Sequence, residues 1–156
     1  MNAVARTDAA PRWVGFALDG SRFALPLASV SRIVRAAGIT PLPDAPDGVA
    51  GVLDVAGTIM AVYDLRKHLR LPRRPMRLDD QIIIARTPRR ELALVIDHVL
   101  GLIEAMPAEI AHVPGVLSTS DGLVVIQDLE TFLSPEDEAT LESALRVAEV
   151  RCKQNR

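Results

Sequence analysis

"GVLDVAGTIMAVYDLRKHL" (residues 51–69) is the stretch on which the fold turns. Two short apolar runs, Val52 to Val55 and Ile59 to Val62, flank Ala56-Gly57, so the segment reads as two strands around a turn or bulge. Asp64 then precedes Leu65-Arg66-Lys67-His68, and a carboxylate there suits the N-cap of one short helical turn. The pattern returns at residues 115–133 as "GVLSTSDGLVVIQDLETFL". Gly51, Val52, Leu53, Val62, Asp64, Leu65 and Leu69 match Gly115, Val116, Leu117, Ile126, Asp128, Leu129 and Leu133, 64 positions on. Upstream, "FALPLASVSRIVRA" (23–36) aligns without gaps to "LALVIDHVLGLIEA" (92–105), 69 positions on. A shorter connector in the second copy accounts for the smaller offset. Two copies of a small barrel-like β unit is the economical reading.

The rest of the chain fits around that repeat. "RWVGFALDGSRFALPL" reads as two strands joined at Asp19-Gly20, and "SVSRIVRA" as a third. Pro41, Pro43 and Pro46 make "ITPLPDAPDG" a surface connection. "QIIIART" is a buried strand, and "ELALVIDHVLGLIEA" is two strands bending at Asp97-His98. "PAEIAHVPG" reads as a second proline loop, followed by the strand "LVVIQDL" and a repeat of the Asp-capped turn. Ser134-Pro135-Glu136-Asp137 is a helix start, after which Leu141, Leu145 and Ala148 share one face. The expected organisation is a flexible N-terminus at 1–11 and one domain over 12–150. Within it lie a first lobe at about 12–70, a connector at about 71–80, a second lobe at about 81–133 and a helix at about 135–150.

Composition narrows the function. The 156 residues are 49% hydrophobic but only 3% aromatic, and the net charge is −2, so no global basic field points to nucleic acid. Cys152 is the only cysteine, which excludes an internal disulfide or a thiolate metal cage. The N-terminus lacks the apolar core of a signal peptide, and Leu92 to Met106 is interrupted by Asp97, His98 and Glu104, so a cytoplasmic protein with no membrane insertion is expected. His68, His98 and His112 do not stand at metal-ligand spacing, and His98 reads as a structural histidine. Asp64 and Asp128 could form a carboxylate pair, but each suits a helix cap better. No serine stands in a nucleophile elbow and no glycine loop cradles phosphate. No enzyme, metal site or cofactor is expected. The cationic cluster Arg66, Lys67, Arg70, Arg73, Arg74 and Arg77, with Arg86, Arg89 and Arg90 beyond it, reads as a solvated connector or as a patch for an acidic partner or RNA.

The ordered set "FALPLASVSRIV", "ITPLPDAPDGVAGVLDVAG", "IMAVYDLRKHL", "LALVIDHVLGLIEA" and "GLVVIQDLETFLSPEDEATLESAL" resembles the CheW-like domain of bacterial chemosensory systems, over most of residues 12–146. The resemblance implies a mainly β fold of two five-stranded SH3-like lobes with a C-terminal α-helix. It implies a non-catalytic adaptor that couples chemoreceptor cytoplasmic tips to a histidine kinase whose regulatory domain has the same fold. It places Val30, Arg32, Gly51, Val52, Asp54, Ala56 and Gly57 near the receptor, and Ile110, Ala111 and His112 near the kinase. Three departures stand out. Asp54-Val55-Ala56-Gly57 replaces the usual Asn-Leu-Arg-Gly, Arg32 stands where the family has Glu, and the stretch Ala111 to Asp121 is short. In the family the usual Glu and Arg are implied to pair, so Arg32 and Ala56 mark a coupled change of recognition surface in a divergent pathway. Gly51 and Gly57 carry two readings, close approach of a partner helix or demands of the barrel itself. The alternative function is a small-barrel nucleic-acid-binding protein using the 66–77 cluster.

Overall fold

The computed structural model describes residues 11–36, 38–104, 106, 109–110, 115–132 and 135–154. Eleven strands form two sheets, β1 (Arg12–Leu18), β2 (Ser21–Pro26), β3 (Val30–Arg35), β4 (Val49–Val55), β5 (Thr58–Tyr63), β6 (Gln81–Arg86), β7 (Glu91–Ile96), β8 (His98–Glu104), β9 (Glu109–Ile110), β10 (Val116–Ser118) and β11 (Val124–Ile126). A four-residue helix α1 (Leu65–His68) follows β5, and α2 (Pro135–Gln154) ends the chain. The first sheet runs β8-β1-β2-β11-β10-β9 and the second β3-β6-β7-β5-β4. Both match the SH3-like lobes expected, with β9 as a two-residue addition and, among the described residues, no hydrogen-bonded pair closing either sheet between its end strands.

The repeat and the sheets do not coincide. Each sheet takes strands from both halves of the chain, so the expected division into a lobe at 12–70 and a lobe at 81–133 is corrected. The 3-10 turn Leu27–Ser29 carries the chain out of the β1–β2 hairpin and into the second sheet as β3. The connector at 71–80 then joins α1 to β6 without leaving that sheet, and β8 returns to pair with β1. Parallel pairs β2–β11 and β5–β7 stitch the halves together. The two sheets are nevertheless built alike, since β1, β2, β3, β4 and β5 occupy the roles of β6, β7, β8, β10 and β11 with the sheets exchanged.

Burial on both faces explains why β6 and β7 read as continuous apolar runs. Ile83 and Ala85 of β6, Leu92, Leu94 and Ile96 of β7, and Ala61 and Tyr63 of β5 face a central seam with Phe16, Leu18, Phe23 and Leu25 of the first sheet. Their neighbours Ile82, Ile84, Ala93, Met60 and Val62 point the other way, into the core of the second lobe. A smaller cluster of Trp13, Ala24, Leu123 and Val125 fills the first lobe. Phe16 and Phe23, directly paired across the β1–β2 hairpin, stack with centroids 5.8 Å apart. With aromatics so scarce, aliphatic burial on both faces of β6 and β7 carries the seam.

Helix α2 docks as its periodicity predicts. Leu141 is fully buried in the seam, Ala144 is buried beside it, and Leu145 packs against the cluster. Arg90, in the β6–β7 turn, holds the helix by ion pairs to Glu138 at 2.7 Å and Glu142 at 3.1 Å. The expected cap Ser134 lies outside the described residues, and the helix runs four residues past the expected end at 150.

Candidate functional site

The seven residues expected at the receptor surface all belong to the second lobe, on its two outermost strands and the β4–β5 turn. Val30 begins β3, and a bulge between Val30 and Arg32 re-aims the strand beside β6. Arg32 is exposed and, among the described residues, enters no ion pair. On β4, Gly51 and Val52 are buried and Asp54 is exposed. Sheet order sets β3 and β4 at opposite edges, yet Val34 of β3 and Val55 of β4 pack against one cluster around Met60, Ile82 and Ile84. The curl of the sheet therefore brings both edges over one core. No hydrogen bond or ion pair links Arg32 to the β4–β5 turn among the described residues.

The two glycines have different physical explanations. A Cβ at Gly51 would lie 2.3 Å from the Thr40 carbonyl oxygen, because Thr40 bridges to Val52 by hydrogen bonds of 3.0 and 2.8 Å. Gly51 is needed by the fold. Its match Gly115 is likewise crowded, with the Asp128 carbonyl oxygen 3.0 Å from an added Cβ. Gly57 has open space around it, but its φ is +90° and that of Ala56 is +52°, which makes a two-residue hairpin turn of the left-handed kind. The Asp54 carboxylate accepts the Gly57 N–H at 2.9 Å and pins the turn. Asp19-Gly20 repeats this geometry with φ of +54° and +78°.

On the expected kinase side, Ile110 sits in β9 and pairs with Leu117 of β10. Ala111 and His112 lie outside the described residues.

The basic cluster is neither wholly solvated nor an open patch. The Arg74 guanidinium donates two hydrogen bonds to Asp80, at 2.8 and 3.0 Å, and a third to Asp97 at 2.6 Å. Arg66, largely buried, donates to Asp97 at 2.6 Å and to the Pro72 carbonyl at 3.2 Å, and lies 3.4 Å from Asp19. Asp97 also accepts the Asp19 amide at 2.9 Å. Two arginines are thus consumed in fastening the connector and α1 to the β1–β2 turn and the β7–β8 bend. Lys67 pairs with Asp47, and Arg73 sits 3.7 Å from the same carboxylate. The nucleic-acid reading loses Arg66 and Arg74 to this network and gains no support.

Burial alone would raise the Asp97 carboxyl, but the Asp19 amide and the Arg66 and Arg74 guanidiniums outweigh it and hold it below the ordinary carboxylate value. Asp80 is lowered in the same way, with Arg74 and the Arg77 amide overcoming desolvation. Burial, reinforced by Glu138 and opposed by Arg90, pushes the Tyr63 phenol up to about 12. Burial likewise lowers His68, which packs on Tyr63.

Asp64 and Asp128, which suited helix caps better than a carboxylate pair, accept the Lys67 and Glu130 amides at the starts of their turns. His98 begins β8 and is exposed. Sequence reading missed Asp80 and Asp97 as anchors. For Asp97 the available signal was a carboxylate interrupting an apolar run, since a charge there needs a partner.

These features define a class: a two-lobed β scaffold with buried ion pairs that fix its parts, and exposed edges and turns for contact. The match to known proteins agrees. Residues 12–134 fit the CheW-like domain model. The chemotaxis protein CheW of Helicobacter pylori is 24% identical over 139 residues, covering 89% of this chain and 80% of that protein. The CheW of Bacillus subtilis is 27% identical over 111 residues, 70% of this chain and 71% of the relative. The crystal structure of the scaffolding protein TtCheW from Thermoanaerobacter tengcongensis superposes with a TM-score of 0.68 at 24% identity, covering 81% of this chain and 94% of that one. The chain belongs to the CheW-like family and is a chemotaxis coupling adaptor.

Proposed function

We propose that this protein acts without catalysis, in the cytoplasm, binding a chemoreceptor cytoplasmic tip through the second lobe and a histidine kinase regulatory domain of the same fold through a separate surface. The supporting observation is the exposed β4–β5 turn. Asp54, Ala56 and Gly57 are exposed there, with open space beside Gly57, above a buried aliphatic core. Arg32 on β3 supplies an exposed cation at the other edge of the same lobe. Val52 supports the strand from beneath, and rim charges select the partner. The kinase side takes in Ile110, Ala111 and His112. Among the described residues no helix is long and apolar enough to cross a membrane, which suits partners that carry the membrane anchor themselves. The test is capture of the full chain by an immobilised receptor-tip helical hairpin and, separately, by the kinase regulatory domain. Retention on both supports the reading, and loss of receptor capture alone in Gly57→Arg ties that partner to the turn. Retention on neither would remove the proposal.

A further inference from the structure

The connector at 71–80 carries more structure than a link requires. It ends in a tight turn, where the Asp80 amide donates to the Arg77 carbonyl at 3.1 Å and the Asp80 carboxylate accepts the Arg77 amide at 2.7 Å. Asp80 is buried, gripped also by the Arg74 guanidinium, and its carbonyl accepts the Ala36 amide at 2.9 Å. At the apex of this clamped turn stands Leu78, 92% exposed, with Met76 exposed just before it. A leucine on a free link could fold back onto the core. Here the bonds at Arg77 and Asp80 hold it out in water, so the turn has already lost the conformational freedom that binding would otherwise have to remove.

Charge specifies the occupant. Arg70, Arg73 and Arg77 are exposed along this stretch, and Asp79 is the one exposed carboxylate between residues 70 and 80. Arg70 and Arg77 enter no ion pair among the described residues, and Arg73 only approaches Asp47 and Asp64, at 3.7 and 3.9 Å. In a chain of net charge −2, such a local excess of cations selects for an acidic partner. The stretch holds no aromatic side chain to stack on a base, which favours a peptide over RNA. We propose that the connector turn docks an acidic amphipathic helix of a partner protein, with Leu78 and Met76 against its apolar face and Arg73 and Arg77 toward its Glu or Asp side chains. The turn shares no residue with the receptor and kinase surfaces assigned above, and the proposal rests on neither.

The probes are three fluorescent peptides of equal length: a Leu/Glu amphipathic helix, a Leu/Glu peptide of scrambled order without an apolar face, and a Leu/Lys helix. Anisotropy titrations use the full chain, Leu78→Ser and Arg77→Gln. Both side chains are exposed, so melting curves of the variants should match that of the native protein. The Leu/Glu helix should bind more tightly than either control by about tenfold. Leu78→Ser should weaken it by about tenfold, and Arg77→Gln by about twofold to fivefold. Equal binding of the ordered and scrambled Leu/Glu peptides, or no effect of Leu78→Ser, would overturn the proposal. Tighter binding to a uridine oligonucleotide or to phosphatidylglycerol vesicles than to the Leu/Glu helix would also overturn it, by making RNA or a lipid surface the occupant.

Discussion

Gly51 and Gly57 illustrate how one residue type serves two physical ends. Gly51→Ala must push the Thr40 bridge away from β4, so it should cost at least about 1–3 kcal/mol, as overpacking does. Gly57→Ala meets no atoms and should cost only about 1 kcal/mol for its left-handed backbone. Denaturant titration of both variants checks the order, and a larger loss at Gly57 would contradict it. In the proposed receptor surface, Arg32 and Ala56 are the positions that would bear on partner choice. Arg32→Glu with Ala56→Arg should restore affinity for receptors suited to the usual charge pair, whereas either single change leaves an unmatched charge. Affinities of all four variants for two receptor tips should be non-additive. Additivity, or an unchanged preference, would show that these positions do not set the partner.

Among the elements, α2 is the easiest to dislodge by design. Leu141→Asp places a charge in the central seam, so it should cost more than the roughly 2–5 kcal/mol of a simple truncation. Tyr63 is the chain's only tyrosine, which makes its phenolate absorbance a direct reporter of docking. In the native protein that absorbance should rise only as pH nears about 12, and Leu141→Asp should bring it down toward the ordinary value of about 10. Because the folded value is the higher one, its contribution to stability is complete below about pH 10 and is lost as pH climbs toward about 12. An unchanged titration in the mutant would mean that α2 does not shield Tyr63. The connector obeys the opposite sign. Asp97 and Asp80 are depressed, so their contribution is present above the unfolded value of about 3.9 and is lost as pH falls through the folded values. Asp97→Asn leaves Arg66 and Arg74 short of a counter-charge and should lower stability at neutral pH while flattening the acid decline. Acid titrations of the two proteins that run parallel would contradict this.

At the scale of the whole molecule, local signals in the sequence were legible because their causes are local. Asp19-Gly20, the Asp64 cap and the α2 periodicity each report backbone geometry within a few residues. The internal repeat likewise identified two similar β units, since Leu25 and Leu94 alternate in the same way. It could not reveal that β3 and β8 exchange sheets, because pairing β1 with β8 is a long-range choice with no local signature. Asp97 and its partners Arg66 and Arg74 were hidden for the same reason, at separations of 31 and 23 residues. The receptor-side residues came from resemblance, and the structure adds that they divide between two edges of one lobe. The exchange of strands joins the lobes through a shared central seam, which suits the proposed role of holding two partners at once. The most direct measurement is therefore a sedimentation-velocity titration of the full chain with a receptor-tip hairpin and a kinase regulatory domain together. An adaptor with separate surfaces should give a ternary species larger than either binary complex, with neither partner displacing the other. Mutual displacement, or no complex with either partner, would contradict the account.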